Sequence, residues 1–250
     1  MISKISVEPA SLLNEMLMCP YSLKYLSENG MQPSDPGVRG EHHDGCGMAF
    51  SKNGSLEIHK RSRDNAWDES YQQVARTATS TVFIAHNRLA SKGLEMTEQG
   101  AHPFVLSAAG KTFALCHNGG VRNYMEEAQQ LQTSDSYIFL RELIDPSGGN
   151  DQEAIFRRLS RIARECAYNS LCAYLITDDE LYAWRIYSMS DTEKIPGFEK
   201  YYTLYMSMRN NSVVFSSEPL DDSPWMLLEN NTFLHLRSNG TSLSVNYRSI

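Results

Sequence analysis

The chemistry-bearing stretch is Ala114-Leu115-Cys116-His117-Asn118-Gly119-Gly120-Val121. Residues 112–116 have the β-branched, aromatic and apolar character of a strand. His117-Asn118-Gly119-Gly120 ends that run with paired glycines, which free the backbone to turn and bare its N–H groups. The Asn118 amide and the Gly119 N–H are two donors that can converge on one oxygen, as stabilising the tetrahedral oxyanion of acyl transfer requires. The same letters spell a hairpin, because Asn-Gly is the strongest short turn signal. Both readings stand on these residues alone.

Other residues invite a chemical reading beside a plain one. Arg88 follows the apolar run 81–86 at a strand end, where it can form a bidentate clamp on a carboxylate or be an ordinary surface charge. Asp135 lies between Ser134 and Ser136 ahead of an apolar helical segment, and capping by Ser134 or Asp135 is sufficient to explain it. His102-Pro103-Phe104 reads as a loop histidine packed on an aromatic ring. His42-His43-Asp44-Gly45-Cys46-Gly47 has the residue types of a metal site. Adjacent histidines point apart on most backbones, however, and the glycines argue for a turn where backbone must approach something closely, so no metal ligand is assigned.

The elements that must position these residues follow from periodicity. A strand is expected at residues 1–7, with Ile5 and Val7 on one face, then a helix opening at Pro9 with the stripe Leu12, Leu13, Met16 and Leu17. Asn29-Gly30 and residues 33–40 read as loop, 48–60 as a hairpin about Asn53-Gly54, and 66–78 as helix. Residues 81–86 form a buried strand, and 137–144 and 151–168 are helices, the second amphipathic. Hairpins are expected for 171–187, about Asp178-Asp179, and for 201–217, with short strands at 233–236 and 243–247. Many strands with few helices between them indicate an α+β layered protein, not a doubly wound one.

Composition narrows the function classes. With 250 residues and 41% hydrophobic content, the chain can bury a full core as one domain spanning 1–250. A net charge of −7 without a basic block gives no footprint for nucleic acid. The lack of a leader-like segment or of an apolar run long enough for a bilayer leads us to expect no membrane partner and a cytoplasmic location. Five cysteines, odd in number and without a CxxC pair, argue against a disulfide framework or zinc knuckle. The sequon Asn53-Gly54-Ser55 is then simply a turn. No cofactor is expected.

Taken in order, six segments resemble the class II glutamine amidotransferases, N-terminal nucleophile hydrolases, in their small stand-alone form. They are His43-Asp44-Gly45-Cys46-Gly47, Ala85-His86-Asn87-Arg88 with Ser91 and Gly93, His102-Pro103-Phe104, His117-Asn118-Gly119, Ser134-Asp135-Ser136, and Ser217-Glu218-Pro219-Leu220 with Trp225. Each is short, but together they span nearly the whole chain. The resemblance implies a four-layer αββα sandwich of two mainly antiparallel sheets. It also implies that Asn118 and Gly119 form an oxyanion hole, that Arg88 clamps an α-carboxylate and Asp135 an α-ammonium, and that His102 belongs to the substrate site. The small-molecule substrate would be glutamine or a γ-glutamyl amide, with water as acceptor or ammonia passed to a partner protein. Two departures, Cys46 where the family usually has tryptophan and Tyr137 where it often has glutamate, bear on the substrate.

A third departure concerns the nucleophile. The resemblance implies a cysteine at the mature amino terminus, with its own α-amino group as general base, whereas this chain begins Met1-Ile2-Ser3. A start slightly upstream is expected, because residues 1–9 read as the continuation of the strand that would carry the cysteine. Loss of catalysis in a binding or regulatory homologue is the alternative. Exposure of Cys19 by cleavage is disfavoured, because Cys19 lies too close to Asp44 and precedes Pro20 and a helix rather than a strand. A metal-dependent hydrolase using His42, His43, His86 or His117 is a more distant reading. The favoured reading expects Arg88, His117, Asn118, Gly119 and Asp135 on one pocket near Met1; Arg88 and Asp135 on opposite faces of the molecule would contradict it.

Overall fold

The structure, a computed structural model, describes residues 1–32, 38–90, 96–192 and 197–250. Ser91, Gly93 and residues 33–37 of the expected loop lie outside the described residues. In chain order the strands are β1 (Ile2–Ser11), β2 (Gly30–Met31), β3 (Arg39–Gly40), β4 (Gly45–Lys52), β5 (Ser55–Ser62), β6 (Thr79–Asn87), β7 (Phe104–Ala108) and β8 (Lys111–Val121). They continue as β9 (Tyr168–Ile176), β10 (Glu180–Arg185), β11 (Tyr205–Arg209), β12 (Ser212–Ser216), β13 (Met226–Leu227), β14 (Thr232–Ser238) and β15 (Leu243–Ser249). The helices that cover them are α1 (Leu23–Asn29), α2 (Glu69–Thr77), α3 (Met125–Gln130), α4 (Asp135–Leu143) and α5 (Gln152–Glu165).

Alternation along single strands sets the layers. On β1, Ile5 faces the core between the sheets with Met1, whereas Ile2 faces the opposite way onto the core under α1 and α2. On β8, Ala114 and Cys116 point inward, and Phe113 and Leu115 point outward under α4 and α5. A strand apolar on both faces needs cover on both, and the result is a four-layer αββα sandwich. One sheet has seven strands in the order β13-β11-β12-β1-β6-β4-β5, and the other has six, β15-β14-β10-β9-β8-β7. Their registered pairs are antiparallel.

Several local expectations are corrected. Pro9 does not open a helix, because β1 runs on to Ser11, and Pro9 sits exposed where the register with β6 shifts between Ile5 and Ala10. An interruption in the ladder is where a residue without an N–H is tolerated. The apolar stripe begins later, in a π turn at Asn14–Met18 that buries Met16. Gly30 and residues 39–40, expected as loop, pair as the short strands β2 and β3. The Asn53-Gly54 turn forms as expected, with φ of 52° and 75° at its two central residues. Helix α2 starts after Trp67, which has φ 60°, because Asp68 caps it by accepting the Tyr71 N–H at 2.7 Å. The segment after His102-Pro103 contributes the edge strand β7.

A buried charge cluster joins α5 to its sheet. His235 on β14 donates from Nε2 to Glu180 Oε1 of β10 at 3.1 Å, lies 2.9 Å through Nδ1 from Gln152 Oε1, and stacks on Tyr182 at 4.5 Å. Desolvation raises the pKa of Glu180, but the His235 hydrogen bond and the Lys111 charge outweigh it and hold that pKa at about 2. A carboxylate depressed in the fold stabilises it above its ordinary pKa, and that contribution is lost as pH falls towards about 2. Denaturant unfolding should find Glu180→Gln less stable at pH 7, by up to ~3 kcal/mol. The gap should narrow below pH 4; a gap independent of pH would contradict this account.

Candidate functional site

A cavity of about 310 Å³ opens where the ends of β1, β6 and β12 meet β8, the start of β9 and the start of α4. Arg88, His102, Asn118, Gly119 and Asp135 all line it, together with Met1, and His117 lies at its wall. The sequence-selected residues, up to 47 positions apart between Arg88 and Asp135, therefore border one space.

The backbone beneath Asn118 and Gly119 differs from the expected turn. Strand β8 continues through His117-Asn118-Gly119-Gly120 and pairs with β9 as far as Val121, with a register shift between Gly120 and Val121. Glycine is required at 119 for another reason: φ is +154°, and a β-carbon there would lie 2.1 Å from the Ser170 carbonyl oxygen. The next two N–H groups are held by side chains at the cavity. Gly120 donates to Asn169 Oδ1 at 2.6 Å and Val121 to Asp135 Oδ2 at 2.7 Å. Ser134, not Asp135, is the N-cap of α4, accepting the Ser136 N–H at 3.2 Å and donating its hydroxyl to Asp135 Oδ1 at 3.1 Å.

His117 is buried with both ring nitrogens engaged. Nε2 donates to the Ser170 carbonyl at 3.0 Å, and Nδ1 accepts from the Ser136 hydroxyl at 2.9 Å; these partners assign the tautomer. Burial lowers its pKa against the pull of Asp135, so the ring is neutral and acts as a brace between β8, β9 and α4.

Arg88 is seated by backbone on both sides. Its N–H donates to the Gly45 carbonyl at 2.8 Å and its carbonyl accepts the Asp44 N–H at 3.0 Å, while Asp44 Oδ2 takes the Ala90 N–H at 2.9 Å. The Asp44-Gly45 turn thus fixes the strand end that carries the arginine. Its guanidinium lies flat against Gly100, where a β-carbon would meet three of its atoms at 3.1–3.3 Å. Burial lowers the pKa of Arg88 and the Asp44 charge opposes the shift; an arginine remains charged throughout.

His102 reaches the cavity because Gly47 has no side chain: a β-carbon there would stand 2.1 Å from the His102 carbonyl oxygen. Its ring packs 4.3 Å from His86 and edge-on to Phe104 at 4.8 Å. Both ring nitrogens are buried and without a hydrogen-bond partner among the described residues. In this conformation His102 borders the cavity by its ring, the packed-histidine arrangement. Desolvation holds the pKa of both His86 and His102 well below the ordinary value.

The amino terminus enters the same space. The Met1 ammonium donates to Ser217 Oγ at 3.0 Å, and the Ser217 N–H donates to the Met1 carbonyl at 3.0 Å. Desolvation lowers the α-amino pKa from near 8 to about 6, against the opposing effects of Cys116 and Glu218. The candidate metal residues diverge instead of converging. His42 Nε2 donates to the Met31 carbonyl at 3.0 Å, His43 lies 3.8 Å from Glu41, and Cys46 faces the outer core. Among the described residues no group of three or more His, Cys, Asp or Glu is arranged to hold a metal ion.

The family model for class II glutamine amidotransferases matches residues 24–249. The chain belongs to this family. Over 91 residues it is 32% identical to the glutamine–fructose-6-phosphate aminotransferase (isomerizing) of Sulfolobus acidocaldarius, a match covering 36% of this chain but 15% of that enzyme. The glutamine phosphoribosylpyrophosphate amidotransferase of B. subtilis, solved with ADP and GMP, superposes with TM-score 0.65 at 17% identity. That match covers 98% of this chain and 48% of the other, so the chain spans about half of that amidotransferase. A glutamine aminotransferase class-II domain protein from Silicibacter pomeroyi gives TM-score 0.56 at 19% identity, over 82% of this chain and 91% of its own. A further match, at TM-score 0.54 and 16% identity, covers 98% of both chains; that protein is described as a "predicted glutamine amidotransferase" from Pseudomonas aeruginosa. At these identities the superpositions speak to fold, which is that of the N-terminal nucleophile-type glutamine amidotransferases.

Sequence reasoning passed over Asn169, the second residue of β9, which carries no motif, and gave no individual role to Ser217, quoted only within a longer match. Gly100 was likewise missed, since its value lies in a contact with Arg88 that no local pattern reports. Gly119→Ala should lose about 1–3 kcal/mol in denaturant unfolding, from backbone strain and the clash with Ser170. Gly54→Ala, at a positive φ but with no atom within 4 Å of the new carbon, should lose less. Equal losses would contradict the packing argument at 119.

Proposed function

We propose that this chain is a glutamine or γ-glutamyl amide hydrolase domain acting through a cysteine thioester, with water as acceptor or with ammonia passed to a partner protein. The observation that carries this reading is one cavity, at the end of β1, lined by a cation, Arg88, an anion, Asp135, and the pair Asn118 and Gly119. An amino-acid end bears one negative and one positive group, and Arg88 and Asp135 match them. The side-chain carbonyl would then reach the Asn118 amide and the Gly119 N–H. Family membership supports the same chemistry.

In this mechanism the α-amino group of an amino-terminal cysteine takes the thiol proton, and the thiolate attacks the amide carbon. The oxyanion is held at Asn118 and Gly119, and its collapse expels ammonia, which leaves with the proton returned by the amino group. Water then hydrolyses the thioester and releases the γ-carboxylate. An α-amine depressed to about 6 is mostly neutral at pH 7, as a general base must be.

A second reading, a catalytically silent homologue that recognises γ-glutamyl compounds, rests on one observation. The residue at the cavity end of β1 is Met1, whose thioether is no substitute for a thiolate.

Two variants separate these readings, one with cysteine in place of Met1 and one with Cys-Arg added before Met1, each with the initiator removed. At least one should gain glutaminase or γ-glutamyl amidase activity; in the variant with cysteine in place of Met1, whose α-amine takes the buried position of that of Met1, the activity should rise through about pH 6 as the amine loses its proton. Replacing Asn118 with alanine in that variant should cost on the order of 10² to 10³ in turnover. Folded, correctly processed and inert variants that still bind L-glutamate would instead establish the silent homologue. Binding by the parent chain should be weak, near −4 kcal/mol or about millimolar, and absent in Arg88→Ala. Equal binding by parent and Arg88→Ala would remove the clamp.

A further inference from the structure

Asn169 presents the two ends of its carboxamide to different tasks. Its Oδ1 accepts the Gly120 N–H at 2.6 Å and the Ser170 N–H at 2.6 Å. Both partners are N–H donors, so the oxygen must face them and the Nδ2 end must face away; the rotamer is not open to an amide flip. The backbone on either side is fixed too. The Asn169 carbonyl accepts the Ser188 N–H at 2.9 Å, and the Ala167 carbonyl accepts the Arg122 N–H at 2.8 Å.

The carboxamide lies beside the proposed ammonium site. A β-carbon on Gly120 would be 3.7 Å from both carboxamide atoms of Asn169 and 3.7 Å from Asp135 Oδ2, so the two side chains flank one face of Gly120 at the cavity. Asp135 is an acceptor there, whereas Asn169 Nδ2 is a donor without a protein partner among the described residues. An α-amino acid carries an ammonium and a carboxylate on one carbon, the complement of an acceptor beside a donor.

We infer that Asn169 is a further residue of the amino-acid site: its Oδ1 fixes the Gly119-Gly120 segment and its Nδ2 donates to the α-carboxylate of the substrate. One carboxylate oxygen is thereby read by a neutral donor beside Asp135, and the other is left to Arg88. The same side chain joins recognition of the amino-acid end to the placement of the proposed oxyanion donors, Asn118 and Gly119, the two residues that precede Gly120 on β8. This assignment rests on the glutamine-site reading given above.

The test is calorimetry of the full chain with L-glutamate and with L-isoglutamine, whose α-carboxylate is replaced by a carboxamide. In the parent protein glutamate should bind at least tenfold more tightly than isoglutamine. Asn169→Asp keeps an acceptor for both N–H groups but replaces the donor with a carboxylate oxygen. It should melt within a few degrees of the parent, bind glutamate at least tenfold more weakly, and reduce the preference for glutamate over isoglutamine at least threefold. Asn169→Ala, which also frees the Gly120 N–H, should lower both the melting temperature and glutamate affinity. An Asn169→Asp protein with an unchanged ligand preference overturns this assignment while leaving the site reading intact. A parent protein that binds neither ligand overturns both.

Discussion

The Ser170 carbonyl stands where a side chain at position 119 would have to be. That close approach of β9 to β8 allows a strand to carry polar machinery without ending. The ladder continues past Asn118 and Gly119 to Val121, and Asn169 and Asp135 secure the Gly120 and Val121 N–H groups from the cavity side. His117 braces the same crossing from below, through Ser170 and Ser136. Glycine at 119 is therefore a packing requirement.

The cavity carries opposite charges among uncharged histidines. Burial keeps His86, His102 and His117 neutral, so the histidines of the cavity add shape without charge. Arg88 keeps its charge and is aimed by Gly100 and the Asp44-Gly45 turn, while Asp135 is aimed by Ser134 and the Val121 N–H. The opposing charges are thus set by backbone and by short side chains, which have little rotamer freedom to lose on binding. Glu218, the other acid at the cavity, is occupied by the Met31 N–H at 3.1 Å and by Arg39 at 2.8 Å.

Much of this arrangement is legible in the sequence, and what is not has physical reasons. Alternating or continuous apolar runs mark most of the long strands, Ser and Asp mark helix starts, and Asn53-Gly54 marks the β4–β5 turn. His117-Asn118-Gly119-Gly120 is misread as a turn because local pattern cannot distinguish glycine that bends a chain from glycine that admits a neighbouring carbonyl. Pro9 is misread as a helix start because its fixed φ also suits the irregular part of an edge-like strand segment. Asp135 is readable as part of a cap, but its hold on Val121 is a contact across 14 positions. Asn169 carries no local signal at all, since its meaning lies in β8, 49 positions away.

The account stands most directly on where an amino-acid ligand sits. A crystal structure of the full chain grown with saturating L-glutamate should place the ligand in the cavity at the end of β1. Its α-carboxylate should lie against Arg88, its α-ammonium against Asp135, and its γ-carboxyl group toward Asn118 and Gly119. Glutamate bound outside this cavity, or within it with its α-carbon end away from Arg88 and Asp135, would contradict the account.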